Sequence, residues 1–483
     1  MTWLEACHEE IERSGLDPQL GEVLRAFGGD HAPGPTDLDA PLPRASLPGR
    51  IAEVLGREVD AAQAAMFGRR LRSLSDLLEA GQTPSARLLR VALFRRAEQI
   101  LSEEPPRALR IRALVDFVWS QAVLLGRDLS VFPSLEQLAA DLQLQDVGFG
   151  LQHGRIEGPS REGPLHLNVL RAKRPRLLTL DARPETDLVQ LAAKHSAPAA
   201  ISGGFFLYSE PDIAPPSRRT DPVGLLVTGG EVTGPPVFRR AAILQDAAGE
   251  LSIERVGMQG VRLTLGAEQL RVGAGARCVH RGHAREIRLA AGERGLVIVG
   301  ARVAAVGLGP RWLEVPLAGF VIVSEPGPAP IEVGALVRYE LPGARLAAAM
   351  AGGPLLLGDD PLDLAAEDFA GSAPPLTFSQ DETFDRNLLP RLGLGLTAGG
   401  ELIALAVDGR NLERALGLTL RSTARFLRAL GCVRALNLDG GSSKRMVVGG
   451  RVMDLSTTEV VSGAGSSERV RPVHSAILFL PRG

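Results

Sequence analysis

Two acidic residues, Asp408 and Asp439, each follow a short apolar run and precede a glycine. The first ends the run 402–407 and continues into Gly-Arg, and the second ends Leu-Asn-Leu and continues into Gly-Gly-Ser-Ser. A strand that ends in an acid and a glycine loop can bring a carboxylate and backbone amides close to a ligand. Two such carboxylates can serve as acid and base, or they can bind a divalent metal between them.

The segment between the two acids predicts how they lie relative to each other. Thr419 is suited to cap a helix, apolar residues recur at helical spacing over 420–430, and Gly431 is suited to end the helix. The order strand, helix, strand predicts a crossover that joins parallel strands, so both acids should emerge at one sheet edge. Their carboxylates should lie about 5–10 Å apart if the strands are neighbours, and about twice that if another strand lies between them.

The second acid is surrounded by further polar and small residues. Asn437 and Asp439 are two positions apart and should face the same side of the strand, with the adjacent leucines opposite. Gly440, Gly441 and Ser443 follow and form a loop that can approach a ligand. Two Asp-Gly turns after strands would be the structural alternative, since such turns are common.

Other short motifs repeat this combination of glycine and polar residues. Ile-Ser-Gly-Gly-Phe-Phe occupies 201–206, Gly-Gly-Pro occupies 352–354, Pro-Arg precedes Leu392, and Arg-Pro-Val occupies 471–473. In this order, together with the two acidic motifs, they resemble the phosphodiester glycosidase family over roughly residues 164–480. The resemblance implies a hydrolase that cleaves a glycosyl phosphodiester, a sugar-1-phosphate diester of the N-acetylglucosamine kind, into free sugar and a phosphomonoester.

The resemblance also implies roles for individual residues. Asp439 is the candidate base or nucleophile, and Asp408 is the second acid or an electrostatic partner. The candidate phosphate ligands are arginines, whose guanidinium forks match phosphate geometry: Arg391, Arg410 and Arg471. The remaining candidates for contact with phosphate or sugar are Gly203, Gly204, Asn437, Gly440, Gly441 and Ser443.

The chain departs from the family pattern at a few motif positions. Ser202 and Ser475 stand where the family has Asn, Leu392 stands for Thr, and Ser442 stands for a glycine. The two serines shorten side chains and remove amide donors. A non-catalytic carbohydrate- or phosphate-binding module on the same fold is therefore an alternative.

The motifs require no cofactor, but a divalent metal is compatible with them. A metal that bridges Asp408 and Asp439 would make the protein a metal-dependent phosphodiesterase. Cys278, His280 and His283 have metal-like spacing, but no fourth ligand lies nearby in the sequence, which disfavours zinc.

Composition restricts the partners. The 54 basic and 56 acidic residues give a net charge of −2, which provides no attraction for nucleic acid or an anionic membrane. The first ten residues are acidic and lack the features of a secretion signal, and no long uncharged apolar run predicts a membrane span. These features predict a cytoplasmic protein whose partner is a glycosyl-phosphate or glycan substrate.

Hydrophobic periodicity predicts two regions. Residues 1–151 read as an all-α region with a Pro/Gly-rich linker at 28–49, and no protein partner for them can be named. Residues 152–163 read as a linker. Residues 164–483 show short strand-like runs, with a β-rich insertion at about 240–345. The predicted class is α+β, with a mixed sheet preceded by helices.

Overall fold

The computed structural model describes residues 132–207, 215–218, 220–359, 362, 367, 388–409, 415–455 and 472–481. The predicted helical region 1–151, with its linker 28–49, lies outside the described residues except for positions 132–151. In that part, a helix with a Ser134 capping box is followed by strands.

The described elements are mostly strands. The helices are α1 (Leu135–Asp141), α2 (Leu188–Lys194) and α3 (Leu420–Ala429), with one 3-10 turn at Gly441–Ser443. In chain order the strands are β1 (Gln145–Gly148), β2 (Leu151–Ser160), β3 (Gly163–Lys173), β4 (Arg176–Thr186), β5 (Ala199–Ser202), β6 (Leu226–Thr228), β7 (Glu231–Gly234), β8 (Arg240–Asp246), β9 (Leu251–Val256), β10 (Arg262–Leu265), β11 (Glu268–Val272), β12 (Gly275–His280), β13 (Glu286–Leu289), β14 (Arg294–Val299), β15 (Arg302–Leu308), β16 (Arg311–Glu314), β17 (Gly319–Ser324), β18 (Arg338–Glu340), β19 (Leu346–Ala351), β20 (Leu355–Leu357), β21 (Arg391–Thr397), β22 (Glu401–Val407), β23 (Cys432–Leu438), β24 (Met446–Val448), β25 (Arg451–Val452) and β26 (Val473–Leu480).

Four larger sheets and one two-stranded sheet contain these strands. The first sheet has the order β1-β2-β3-β22-β21-β23-β20, and the second has the order β25-β24-β5-β26-β4. The third has the order β7-β6-β19-β8-β9. The fourth has the order β15-β14-β17-β12-β11-β10-β18, and β13 pairs with β16 in the two-stranded sheet.

The main core lies between the first three sheets. Leu170, Ile201, Ile243 and Leu394 come from β3, β5, β8 and β21 and belong to one buried apolar cluster. Helix α3 covers the opposite face of the first sheet, where its buried Phe426 belongs to a second cluster. Both faces of the central strands are therefore buried, as near-continuous apolar runs predict.

The predicted α+β class is wrong for the described residues. Of these, 52% lie in strands and 10% in helices, and no all-α region occurs among them. Neighbouring strands are antiparallel except for β11 and β12. The reason is local: tight turns such as Gly229-Gly230, both with positive φ, join consecutive strands into hairpins.

Residues 152–163, predicted as a linker, form most of β2 and the turn into β3. The two strands pair in continuous register from Leu151↔Ala172 to Ser160↔Gly163. The segment is rich in glycine and polar residues, which suggested a loop. Pairing with the apolar, buried β3 outweighs this local composition, since strand preference depends on neighbours more than on the segment itself.

The prediction for 402–438 is confirmed in its helix and in its strand directions. Thr419 Oγ1 accepts a hydrogen bond of 3.0 Å from Ser422 N–H, and Gly431 follows the helix with a φ of +92°. Strands β22 and β23 are each antiparallel to β21, which lies between them, so they are parallel to each other. The arrangement is thus the one with an intervening strand.

Among the described residues, no helix has the length and apolar character needed to cross a bilayer.

Candidate active site

Three of the sequence motifs meet at one end of the first two sheets. Gly203 N–H donates to Ser475 O at 2.9 Å, and Asp439 N–H donates to Gly203 O at 3.3 Å. Gly353 N–H donates to the Asn437 carbonyl at 2.7 Å. These bonds connect motifs that are far apart in the sequence. The structure thus brings together the glycine loop at 203–204, the Gly-Gly-Pro loop and the second acidic motif.

Close backbone contact explains why two of these loops contain glycine. A Cβ at Gly204 would lie 2.0 Å from the Ala351 carbonyl oxygen, and a Cβ at Gly352 would lie 2.2 Å from the Asn437 carbonyl oxygen. Both contacts are with backbone atoms that cannot rotate away. The glycines therefore allow the loops to pack directly against each other.

Asp439 follows the last residue of β23 and is 7% exposed. Leu436 and Leu438 point into the main core, as the two-residue alternation predicted. Asn437 is almost fully buried, and its Nδ2 donates to Gly353 O at 3.2 Å. The amide of Asn437 therefore holds the Gly-Gly-Pro loop beside Asp439.

The loop after Asp439 is anchored through its backbone. Gly441 N–H donates to Pro390 O at 3.0 Å, and Ser443 N–H donates to Gly440 O at 3.0 Å. Gly440 is also close to this proline, since a Cβ there would lie 2.6 Å from Pro390 O. The Pro-Arg motif thus supports the loop that carries Gly440, Gly441 and Ser443.

Asp408 lies in a buried cluster of charged groups. Its Oδ1 is 2.6 Å from Lys444 Nζ and accepts a hydrogen bond of 3.1 Å from Leu455 N–H. Its Oδ2 is 2.6 Å from His166 Nδ1. The exposed fractions of the Asp408, Lys444 and His166 side chains are 1%, 0% and 1%, so water does not screen these contacts.

A second carboxylate extends this cluster. Asp454 Oδ1 is 3.4 Å from Lys444 Nζ, and Asp454 Oδ2 is 3.7 Å from Arg445 NH1. Met446 N–H donates to the same Oδ2 at 2.9 Å. Two carboxylates and two cations are thus buried together beside His166. We call His166, Asp408, Lys444, Arg445 and Asp454 the buried charge cluster.

The two carboxylates of the cluster differ in pKa. Burial opposes ionisation of Asp408, but the Lys444 ammonium and the His166 hydrogen bond outweigh it and lower the pKa of Asp408. Burial raises the pKa of Asp454, and the nearby negative charge of Asp408 adds to this effect. Asp408 is therefore an ionised carboxylate at neutral pH, which suits an electrostatic role and not proton donation.

The donor set around Asp408 does not fit the alternative of a bridging metal. Both of its oxygens already accept bonds from a cation, a histidine and a backbone amide. The described ranges also contain no group of three His, Cys, Asp or Glu residues arranged to hold a metal ion. Cys278, His280 and His283 do not form such a group. The imidazole rings of His280 and His283 instead lie against each other, with 3.7 Å between their centroids.

The structure describes one of the three arginines that were predicted to bind phosphate. Arg391 is fully buried in β21, and its Nε donates to Leu418 O at 3.1 Å, just before α3. Arg410 and Arg471 lie outside the described residues. The phosphate-binding role of these arginines stays a prediction.

The two serines that replace asparagine take part in loop packing. Ser202 Oγ accepts from Arg445 N–H at 3.0 Å, and Ser475 Oγ donates to Gly204 O at 3.4 Å. A Cβ at Gly203 would lie 2.3 Å from Ser475 Oγ. A short side chain at position 475 therefore matches the close approach of this loop.

Sequence reasoning missed His166, Arg445 and Asp454. The pattern Leu-His-Leu-Asn-Val in β3 offered one signal, because it places His166 and Asn168 on the same face of an otherwise apolar strand. Lys444 offered another, since the chain has only three lysines and this one follows the acidic loop. Neither signal identifies the partners, which come from distant segments.

Comparison with known proteins gives a family match for about the last third of the sequence. Residues 317–480 match the family model for phosphodiester glycosidases. The predicted resemblance is confirmed over these residues. No curated protein matches the sequence.

Three solved structures are similar to the chain. A hypothetical protein from Synechocystis is 22% identical with a TM-score of 0.45, and the alignment covers 71% of this chain and 64% of that protein. A protein from Burkholderia pseudomallei K96243, described as exported, is 21% identical with a TM-score of 0.43 and coverages of 67% and 75%. The catalytic domain of zebrafish N-acetylglucosamine-1-phosphodiester alpha-N-acetylglucosaminidase, auto-inhibited by its pro-peptide, is 13% identical with a TM-score of 0.40 and coverages of 73% and 92%.

Proposed function

We propose that this protein, in which residues 317–480 match the phosphodiester glycosidase family, hydrolyses a glycosyl phosphodiester at the anomeric carbon. The bond between that carbon and the phosphate oxygen breaks, and water supplies the new hydroxyl of the sugar. The products are a free sugar, of the N-acetylglucosamine kind, and a phosphomonoester. The observation that carries the proposal is that the matched family motifs converge around Asp439.

Asp439 is the proposed base or nucleophile. As a base it takes a proton from the attacking water, and as a nucleophile it forms a glycosyl ester that water then hydrolyses. The leaving group is a phosphate, which is already stable as an anion. Protonation by a second acid is therefore less important than in ordinary glycoside hydrolysis, and binding of the phosphate charge is more important. Arg410 and Arg471 are the proposed phosphate ligands, and the Gly204 amide is proposed as a further donor. The Gly203 amide already donates to Ser475 O.

Asp408 is proposed as a positioning residue and not as the proton donor. Its lowered pKa keeps it ionised, and Lys444 and His166 occupy its oxygens. Lys444 directly follows the loop that carries Gly440, Gly441 and Ser443. The ion pair therefore fixes the end of that loop, which keeps the groups after Asp439 in place for the reaction.

A binding module on the same fold is the second candidate. The hydroxyls of Ser202 and Ser475 are both used in hydrogen bonds to loop backbone, and neither offers the amide that the family has at these positions. A protein with this site could hold a sugar phosphate without turning it over.

The test is hydrolysis of N-acetylglucosamine-1-phosphate methyl diester in ¹⁸O-labelled water, with and without chelator. The proposal expects the label in the sugar, no effect of chelator, and a loss of turnover on the order of 10³-fold in Asp439→Asn. Asp141→Asn, at an exposed position in α1, is the matched control and should keep full activity. Label in the phosphate with loss of activity in chelator would indicate a metal-dependent phosphodiesterase. Binding of the diester without any turnover would indicate the binding module.

A further inference from the structure

A cavity of about 770 Å³ lies where the second, third and fourth sheets meet. Its walls come from β4, the β6–β7 hairpin, the β14–β15 turn and the segment 333–339. Asp408 and Asp439 do not line it. Pockets for small ligands typically enclose about 300–1,000 Å³, so this cavity is large enough for several sugar units.

Backbone hydrogen bonds fix one wall of the cavity. Val303 N–H donates to Ala335 O at 3.0 Å, Gly334 N–H donates to Val303 O at 2.8 Å, and Val337 N–H donates to Ala301 O at 2.9 Å. The segment 333–337 is thus tied along β15. The cavity is therefore formed before any ligand binds, which lowers the entropic cost of binding.

The floor of the cavity is an ion-paired arginine. Arg183 Nε donates to Asp181 Oδ1 at 2.7 Å, and Arg183 NH1 donates to Asp221 Oδ1 at 3.0 Å. Burial raises the pKa of Asp221, although the hydrogen bond from the Arg218 backbone amide and the Arg183 charge partly offset this effect. These side chains are held in place by one another, so this part of the cavity lining has a fixed geometry.

The rim adds further charged groups of both signs. Seven charged residues line the cavity in total: Asp181, Arg183, Arg218, Asp221, Glu231, Arg302 and Arg338. Four are cationic and three are anionic, so the walls are nearly neutral. A polyphosphate or a nucleic acid would need a clear excess of cations.

The same rim also presents apolar surface. Val333 is 66% exposed and Leu336 is 49% exposed, and both line the cavity. Carboxylates and guanidinium groups offer paired acceptors and donors that match neighbouring hydroxyls, and exposed aliphatic groups suit C–H surfaces. From this combination we infer that the cavity binds a saccharide chain of low charge.

The cavity is linked to the candidate active site by a short backbone segment. Leu207 N–H donates to Asp221 O at 2.9 Å, and Val223 N–H donates to Phe205 O at 2.8 Å. From Gly203 to Leu207 an extended chain spans at most about 14 Å. This part of the inference rests on the proposed function: the saccharide that the cavity binds is of the same class as the saccharide that carries the phosphodiester.

The test uses the full chain and a panel of neutral oligosaccharides of three to six units: α-1,4-glucan, α-mannan and β-1,4-linked N-acetylglucosamine chains. Binding is measured by saturation-transfer NMR and calorimetry for the wild type and for Arg218→Gln with Arg338→Gln. Neither guanidinium has a hydrogen-bond partner among the described residues, so this double variant should fold normally. Arg288→Gln with Arg311→Gln, two exposed arginines of β13 and β16, is the matched control.

The inference expects at least one oligosaccharide to bind, with an affinity at least tenfold lower in the Arg218 and Arg338 variant and unchanged in the control. Affinity for the short methyl diester should be the same in all three proteins. The inference is overturned if no oligosaccharide in the panel binds, or if binding is unaffected by the cavity variant. If oligosaccharides bind as expected and no diester is hydrolysed, the cavity assignment stands and the proposed hydrolysis fails.

Discussion

Replacing Lys444 by methionine removes a fully buried ammonium whose Nζ lies 2.6 Å from Asp408 Oδ1 and 3.4 Å from Asp454 Oδ1. Methionine has a similar length, so the change removes mainly the charge and its hydrogen bonds. The two carboxylates then remain buried with fewer partners. Asp408 keeps His166 and the Leu455 amide, and Asp454 keeps the Met446 amide and Arg445 at 3.7 Å.

Removal of one partner from a buried ion pair typically costs about 3–5 kcal/mol. The remaining contacts place Lys444→Met near the lower end, at about 3 kcal/mol of unfolding free energy at pH 7. Arg425→Met is the matched control. Its guanidinium lies 2.9 Å from Glu136 Oε1 and 3.3 Å from Glu162 Oε1, but the Arg425 side chain is about half exposed, so the loss should stay below about 1 kcal/mol.

The assay is urea unfolding followed by circular dichroism at pH 7.5 and pH 4.5. In the wild type, the pKa of Asp408 is lower in the folded state than in the unfolded state, where it is about 4. This difference stabilises the fold at pH values above the unfolded pKa, and the stabilisation is lost as the pH falls through the folded pKa. Lys444 lowers the pKa of both Asp408 and Asp454, so its removal should raise both pKa values and make ionisation of these buried carboxylates more costly. The variant then loses stability as pH rises, so its deficit should be larger at pH 7.5 than at pH 4.5.

Equal stability of wild type and Lys444→Met at pH 7.5 would refute the reasoning, as would a deficit that does not change with pH. The double variant Asp408→Asn with Lys444→Met completes the test. If the two side chains form the pair described here, the double variant should lose less free energy than the sum of the single variants.

Two further predictions concern the packing of the loops and of the first sheet. Gly204→Ala should destabilise the protein by about 2 kcal/mol or more in the same urea assay, because its Cβ would overlap the Ala351 carbonyl. In the control Gly399→Ala, the Cβ meets only Thr397 Oγ1 at 3.8 Å, so stability should change by less than about 0.5 kcal/mol. Similar losses in both variants would contradict the close-contact argument. A chain that begins at residue 164 lacks α1, β1 and β2, so β3 becomes an edge strand of the first sheet. In thermal melts it should unfold at a lower temperature than a chain that begins at residue 132. Equal melting temperatures would mean that these elements add no stability.

Local sequence patterns predicted the elements around the candidate site well. The helix after Thr419, the stop at Gly431 and the common direction of the strands before Asp408 and Asp439 all follow from spacing and capping. The sequence did not decide whether another strand lies between them, as β21 does, because spacing along the chain does not specify the order of strands in a sheet. The family match at residues 317–480 contains the Gly-Gly-Pro motif and both acidic motifs, whereas the motif at 201–206 lies outside it.

The parts that could not be predicted depend on contacts between distant residues. His166 and Asp408 are 242 positions apart, and no local pattern connects them. The polar segment 152–160 is a strand only because β3 lies beside it. The α+β prediction is wrong for the described residues, which are 52% strand and 10% helix, and the segment 145–160, expected as helical region and linker, forms β1 and β2 instead.

The pairing of β4 with β26 has a consequence for biosynthesis. Leu178 on β4 pairs with Leu478 on β26, and Ala172 on β3 pairs with Leu402 on β22. β4 must therefore wait for residues 473–480 and the second edge of β3 for residues 401–407, whereas the strands from β10 to β18 find their partners within residues 262–340. The fourth sheet can therefore form early, while β4 stays unpaired until β26 is made and one edge of β3 stays unpaired until β22 is made. During that interval their apolar edges are exposed to aggregation, so expression at lower temperature or with chaperones should raise the yield of folded protein.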